Sequence, residues 1–297
     1  MSNLYQRKLS LAGLDVGAWS EEDLRALVRG ILESGIHGIS FSPYTEGQGP
    51  GTQLGEAQIR ARMDVIRPHA RWVRTFSCTD GNELIPGIAK EHGLGTLVGA
   101  WLGDDARKNR HEIENAIEVA RAGQADILGV GNEVLLRGDL TEDELLGCIE
   151  EVKAAVGDLG IPVGYVDAYF EFEDHPRITQ ACDVILANCY PFWEGCPAEY
   201  AVLYMKEMYR RARRVADGKR VIVSETGWPN IGTAVGGALP SFGNAIKYFV
   251  DTCRWAEEDG VEVFWFSSFD EAWKIDAEGD VGAYWGLWDK DGRPKYV

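Results

Sequence analysis

A short apolar run followed by a longer segment with apolar residues at helical spacing recurs roughly eight times along the chain, at about 25 to 40 residues per unit. That alternation predicts an α/β fold of one kind, a single (β/α)8 TIM barrel. A doubly wound open sheet is the alternative. No GxGxxG follows the first apolar run and no GxxxxGK[ST] occurs, so the dinucleotide- and phosphate-binding versions of α/β lose support. The 297 residues suffice for one barrel plus extensions, with two ordinary domains as the other division. We expect residues 1–297 to form one barrel domain, with 1–35 as an N-terminal helical extension.

Ser20 followed by Glu21, Glu22 and Asp23 is an N-cap with an acidic first turn, and Leu24, Leu27, Val28, Ile31 and Leu32 give the helix an apolar stripe up to Gly35. The expected strands are Ile36 to Phe41, Trp72 to Phe76, Thr96 to Trp101, Ile127 to Val130, IPVGYVDAY, the run from Asp183, Val221 to Val223, and VEVFWFSSFDEAW. Helices are expected from Glu56 to about Pro68, Asn82 to His92, Asn109 to Ala122, Thr141 to Val156, Ala198 to Val215 and Gly243 to Glu258. Val221, Ile222 and Val223 have no polar face, as suits a strand covered on both sides. Asp291-Gly292 is a turn signal inside a terminal strand or hairpin.

The formal charge of -17 argues against nucleic acid or an anionic membrane surface as partner, since both need clustered Lys and Arg. A neutral partner such as a sugar fits. No run of ~18 apolar residues occurs, so no membrane-spanning segment is expected. The N-terminus has no long apolar core before a small-residue cleavage site, which reads as a soluble, cytoplasmic, monomeric chain unless a signal peptide or a membrane-anchored parent precedes it. The cysteines at 78, 148, 182, 189, 196 and 253 show no secreted-scaffold spacing and are expected as buried free thiols. Cys182, Cys189 and Cys196 recur every seventh residue, but no CxxC accompanies them and histidines are few, so no metal and no cofactor is expected.

Two carboxylates stand at expected strand ends: Glu133, after the fourth, and Glu225, in SETGWP after the seventh. Taken alone, Glu225 reads equally as a helix-capping or salt-bridged residue. Together the two face one another across a barrel mouth, where the loops after the strands carry the chemistry of such folds. Paired carboxylates in one cleft suit glycosidic bond cleavage, one protonating the leaving oxygen while the other attacks the anomeric carbon. Their proton affinities must differ, so the acid needs burial or a neighbouring negative charge, and the nucleophile needs a cation and hydrogen-bond donors. Arg74 is a candidate cation and Tyr190 a candidate donor, each with a structural ion pair or core tyrosine as the other reading. Tyr44, Phe76, Trp101, Tyr169, Tyr190, Phe192, Trp193, Trp228 and Trp273 fall at or just past strand ends. Half of them are expected to line a cleft for pyranose rings and half to pack beneath it. A Ser-His-Asp hydrolase lacks its GxSxG elbow here, and a metal-dependent barrel enzyme lacks converging histidines.

With Asn132-Glu133, Ser224 to Pro229 and FDEAWK from Phe269 to Lys274 in place, the sequence resembles glycoside hydrolase family 17, the β-1,3-glucanases and glucanosyltransferases of the retaining (β/α)8 clan. The likeness runs from GISFSPY near residue 38 through GLWDKDGRPK. It implies an enzyme acting on β-1,3-glucan oligosaccharides or polysaccharides, with Glu133 as acid/base, Glu225 as nucleophile and Asn132 bound to the sugar 2-hydroxyl. Tyr190 and Arg74 would support Glu225, Glu271 and Lys274 would form a pair at the cleft floor, and Trp228 and Trp273 would be sugar platforms. Tyr44 and Trp193, from the aromatics at strand ends, complete the expected substrate-binding set. Plant members insert a helical subdomain around the sixth unit. Phe192 to Val221 leaves room for little beyond one helix, and PYTEGQGP is similar to the bacterial and fungal branch, where glycosyl transfer that elongates, branches or cyclises a glucan is common. A glycan-binding barrel without catalysis is the alternative from another class.

Overall fold

β-branched and aliphatic residues dominate the eight strands because each is covered on both faces, by the barrel interior and by an outer helix. In the computed structural model, which describes residues 13–297, they are β1 (Ile36–Ser40), β2 (Ala70–Arg74), β3 (Gly95–Ala100), β4 (Ile127–Asn132), β5 (Val163–Ala168), β6 (Val184–Asn188), β7 (Arg220–Thr226) and β8 (Val263–Trp265). Neighbours pair in parallel, and β8 closes on β1 through Gly38↔Phe264 and Ile39↔Trp265, giving the expected (β/α)8 barrel. The expected extension over 1–35 lies partly outside the described residues. Within them, Glu21–Ser34 is a helix whose Ser20 side chain accepts from the Asp23 amide.

Leu97, Ile127, Val166, Val184, Leu186, Ile222 and Phe264 fill the barrel interior. Phe264 reaches across to β1 because position 38 is glycine: a Cβ there would stand 2.5 Å from its ring. Thr141 and Glu144 form a reciprocal capping box on the helix Glu142–Val156, and Ser241 caps Phe242–Asp259. The tail turns at Gly292, with φ +83°, so that the Asp289 amide donates to the Arg293 carbonyl at 2.8 Å, the expected hairpin.

Three differences from the expected elements bear on the site. β4 runs two residues further, to Asn132, and β7 includes Glu225 rather than ending before it. β8 has three residues, and the chain beyond it turns into loops and short helices. Short helices also form at Val134–Arg137, Glu171–Asp174 and Pro176–Ala181. The sheet's register shifts fall between Gly129 and Asn132, Ala187 and Asn188, and Val223 and Thr226. All three lie toward the C-terminal ends of β4, β6 and β7, where bulges re-aim side chains.

Candidate active site

Arg74, at the end of β2, is 1 % exposed, and its guanidinium ties three strands together. Nη1 donates to Glu225 Oε1 at 2.5 Å and to the Ser224 carbonyl at 3.2 Å, and Nη2 donates to Asn132 Oδ1 at 2.6 Å. The guanidinium carbon also lies 4.5 Å from the Phe76 ring centroid. A buried charge of this kind needs such a set of partners. The second oxygen of Glu225 accepts from the Tyr190 hydroxyl at 2.6 Å. Burial and the Glu225 charge push the Tyr190 phenol well above its ordinary 10, so it remains a donor. Because Asn132 Oδ1 accepts from Arg74, only the NH2 of that amide is left to donate elsewhere.

Glu133 follows β4 in a left-handed conformation, φ 52° and ψ 33°, with its amide bonded to the Val166 carbonyl of β5 at 2.8 Å. Its Oε1 accepts from Asn188 Nδ2 at 2.8 Å, and Asn188 Oδ1 accepts from Ser224 Oγ at 2.8 Å, which fixes which way the amide points. Burial first, and the Glu225 charge second, raise the Glu133 carboxyl to about 7. Asn188 and Arg74 oppose that rise, and Asp167 adds to it. One glutamate thus has a cation and a phenol on its two oxygens, while the other keeps its proton to near neutrality.

Glu133, Glu225, Tyr190 and Trp193 line one cleft of about 340 Å³, together with Leu136, Tyr169, Asn188, Glu194, Phe266 and Glu278. Trp193 is 39 % exposed at its rim. Glu271, Lys274, Trp273 and Tyr44 gather beside it, toward β1 and β8. Glu271 Oε1 accepts from Ser42 Oγ at 2.5 Å and from Trp273 Nε1 at 3.0 Å, and Lys274 Nζ lies 2.6 Å from its other oxygen. Lys274 joins this group to the cleft, its Nζ standing 3.9 Å from the centroid of the Phe266 ring. Tyr44 is buried edge-on against Trp273, ring centroids 6.2 Å apart, while Trp273 stays half-buried. A larger cavity of about 450 Å³ opens at the other end of the barrel, around His37 and Glu262, away from both strand-end glutamates.

Trp228 corrects an expectation. Expected as a sugar platform, it is 1 % exposed, packs on Phe192 and Tyr248 at 5.2 and 5.4 Å, and donates its Nε1 hydrogen to the Leu239 carbonyl at 3.0 Å. It is a core residue with its one polar atom satisfied. Two site residues escaped the sequence reading. Asn188 closes β6, inside the expected sixth strand and two positions before Tyr190, and that even spacing was the available signal. Glu278 follows the FDEAWK motif, and nothing in its surroundings marks it; burial raises its carboxyl to about 7, with Lys274 opposing.

A closed parallel barrel with one protonatable and one anchored glutamate at the ends of β4 and β7 defines a barrel glycosidase. The chain belongs to the BtgE/BtgC glycoside hydrolase domain family, whose profile matches residues 38–286. It is 30 % identical over 262 residues to a glucan 1,3-beta-glucosidase of Arthroderma benhamiae, covering 81 % of this chain and 84 % of that one. A glucan 1,3-beta-glucosidase of Candida albicans is 29 % identical over 270 residues, 83 % of this chain and 87 % of the other. Among solved structures, a glycoside hydrolase family 17 beta-1,3-glucanosyltransferase from Rhizomucor miehei superposes with a TM-score of 0.79 at 27 % identity, covering 89 % of this chain and 96 % of that chain. These matches agree with the family 17 resemblance carried by the motifs. Among the described residues, no helix is long and apolar enough to cross a membrane.

Proposed function

We propose that the protein acts on β-1,3-glucan by double displacement, passing a glycosyl unit through a covalent bond to Glu225. The unlike environments of the two glutamates carry this reading. Glu225, held by Arg74 and Tyr190, attacks the anomeric carbon as Glu133 gives its proton to the leaving oxygen. Glu133, now charged, takes a proton from an incoming hydroxyl, which attacks the same carbon and frees Glu225. Asn132 donates to the sugar 2-hydroxyl. Trp193 and Trp273 offer ring faces to the glucan, and Glu271 with Lys274 and Tyr44 shapes the neighbouring floor. Water as acceptor gives hydrolysis and a second glucan gives transfer, and we propose that both occur. A neutral glucan needs neither metal, cofactor nor nucleic acid, and one barrel acting as a monomer supplies every group named.

The test uses linear β-1,3-gluco-oligosaccharides, NMR of the first-formed anomer and azide rescue. Glu225→Ala should lose at least about a thousandfold in kcat, the scale expected for removal of a covalent nucleophile, and azide should return an α-glycosyl azide. Glu133→Ala, given a 2,4-dinitrophenyl β-laminaribioside whose leaving group needs no proton, should instead yield the β azide. Turnover by Glu225→Ala at the parental rate, or an inverted first product, would sink the assignment. At high oligosaccharide concentration, products longer than the substrate report transfer.

A further inference from the structure

Glu133 is presented by an unusual piece of backbone. Gly131 has φ +81° and Glu133 φ +52°, and the chain then makes the single helical turn Val134–Arg137. A non-glycine residue in the left-handed region persists only where its surroundings over-determine it. The adjoining strand β5 supplies that determination. The Leu135 amide donates to the Tyr165 hydroxyl oxygen at 2.9 Å, and the Tyr165 hydroxyl donates to Asp167 Oδ2. The Leu136 amide donates to the same oxygen at 3.4 Å, and the Ala168 amide holds Oδ1 at 2.7 Å. Two otherwise orphaned amides at the start of that turn, those of Leu135 and Leu136, therefore end on one buried dyad. Gly131 leaves room for it, since a Cβ there would stand 3.3 Å from Tyr165 Cε2. Tyr165 and Asp167 are both fully buried, so neither meets a sugar.

We propose that Tyr165 and Asp167 are positioning residues that hold the Glu133 carboxyl in line with the leaving oxygen. This rests on Glu133 being the acid/base. Without the dyad, the Leu135 and Leu136 amides lose their partners, leaving the bond from the Glu133 amide to the Val166 carbonyl to hold the turn against β5. The groups around Glu133 are Glu225 from β7, Asn188 from β6, Asp167 from β5 and Arg74 from β2. Those around Asp167 are Tyr165, Glu171 and the Leu136 and Ala168 amides. Burial raises the Asp167 carboxyl to about 6, and its negative charge raises the Glu133 carboxyl in turn.

The experiment compares two leaving groups. A β-1,3-gluco-oligosaccharide needs its leaving oxygen protonated, whereas a 2,4-dinitrophenyl β-laminaribioside does not. Tyr165→Phe should lower kcat/KM on the oligosaccharide about tenfold and on the aryl substrate less than twofold, because only proton donation is impaired. Asp167→Asn should show the same split and move the alkaline limb of kcat/KM to lower pH, since a charge that raises the Glu133 pKa is gone. In the unmodified protein, the Leu135 and Leu136 amides should exchange hydrogen as slowly as those of β4. Equal losses on both substrates, no loss on either, or fast exchange of the two amides would overturn the proposal. Glu133→Ala, run beside them, separates the two readings. If it lacks the leaving-group split, the acid assignment fails, and if it alone shows the split, only the dyad's role fails.

Discussion

At the scale of single residues, the two strand-end glutamates differ by what touches them. Asn188 donates to the charged form of Glu133 and so opposes the burial that raises its carboxyl to about 7. The alkaline limb of kcat/KM should therefore lie near that value, as Glu133 loses the proton it must donate. Asn188→Ala should move the limb upward while reducing the maximum, which a pH–rate profile on oligosaccharides reads directly. A limb that moves downward would mean Asn188 favours the neutral acid. The same shift has a stability consequence. The Glu133 carboxyl rises from an ordinary 4.5 to about 7 in the fold, so between those values the native state binds more protons and loses stability as pH rises. Glu133→Gln keeps an acceptor for Asn188 and removes the titration. It should be more stable than the parent by about 3 kcal/mol at mildly alkaline pH, with the difference vanishing once both states are protonated. Thermal melts across pH check this, and a Glu133→Gln variant less stable than the parent at alkaline pH would refute it.

At the scale of elements, the C-terminal ends of β4, β6 and β7 are where the strands stop being regular. β7 and β8 fall out of register between Val223 and Thr226, and Gly227 passes so close to the Phe266 carbonyl that a Cβ would stand 2.1 Å from its oxygen. Just past it, Trp228 faces inward. In SETGWP, an aromatic beside a catalytic-looking glutamate reads as a platform, and nothing local to the motif says otherwise, because the facing of a residue past a bulge is decided by the neighbouring strand. The apolar runs were legible for the opposite reason: a strand buried on both faces shows itself in its own residues. Arg74 and Tyr190 were legible as strand-end residues of the right chemistry. Asn188 and Glu278 matter through partners distant in sequence, and so were not. Trp228→Ala should accordingly lower stability by about 3–5 kcal/mol, the cost of emptying a large buried site, while KM of the folded fraction stays unchanged. Chemical denaturation and Michaelis kinetics on the same preparation separate the two. A raised KM with an unchanged denaturation midpoint would restore Trp228 as a platform.

At the scale of the whole molecule, the -17 charge is the least local feature of the chain, and the cleft shares in it. Glu133, Glu194, Glu225 and Glu278 line one cavity, with Arg74 bonded beneath and Lys274 alongside as neighbouring cations. Such a field draws cations and repels anions over a range set by screening, about 10 Å at 0.1 M salt. A neutral glucan feels almost none of it. The contacts proposed to govern the chemistry, Arg74 on Glu225 and Asn188 on Glu133, are short and buried, where added salt screens little. For neutral β-1,3-gluco-oligosaccharides, kcat/KM should therefore change by less than about twofold between roughly 0.01 M and 0.5 M salt. A sulfated oligosaccharide of the same length should react poorly at low salt and recover as its repulsion from the carboxylates is screened. A steep salt dependence for the neutral substrate, or faster turnover of the sulfated one at low salt, would show that the cleft is built to recognise charge and that a neutral glucan is not its substrate.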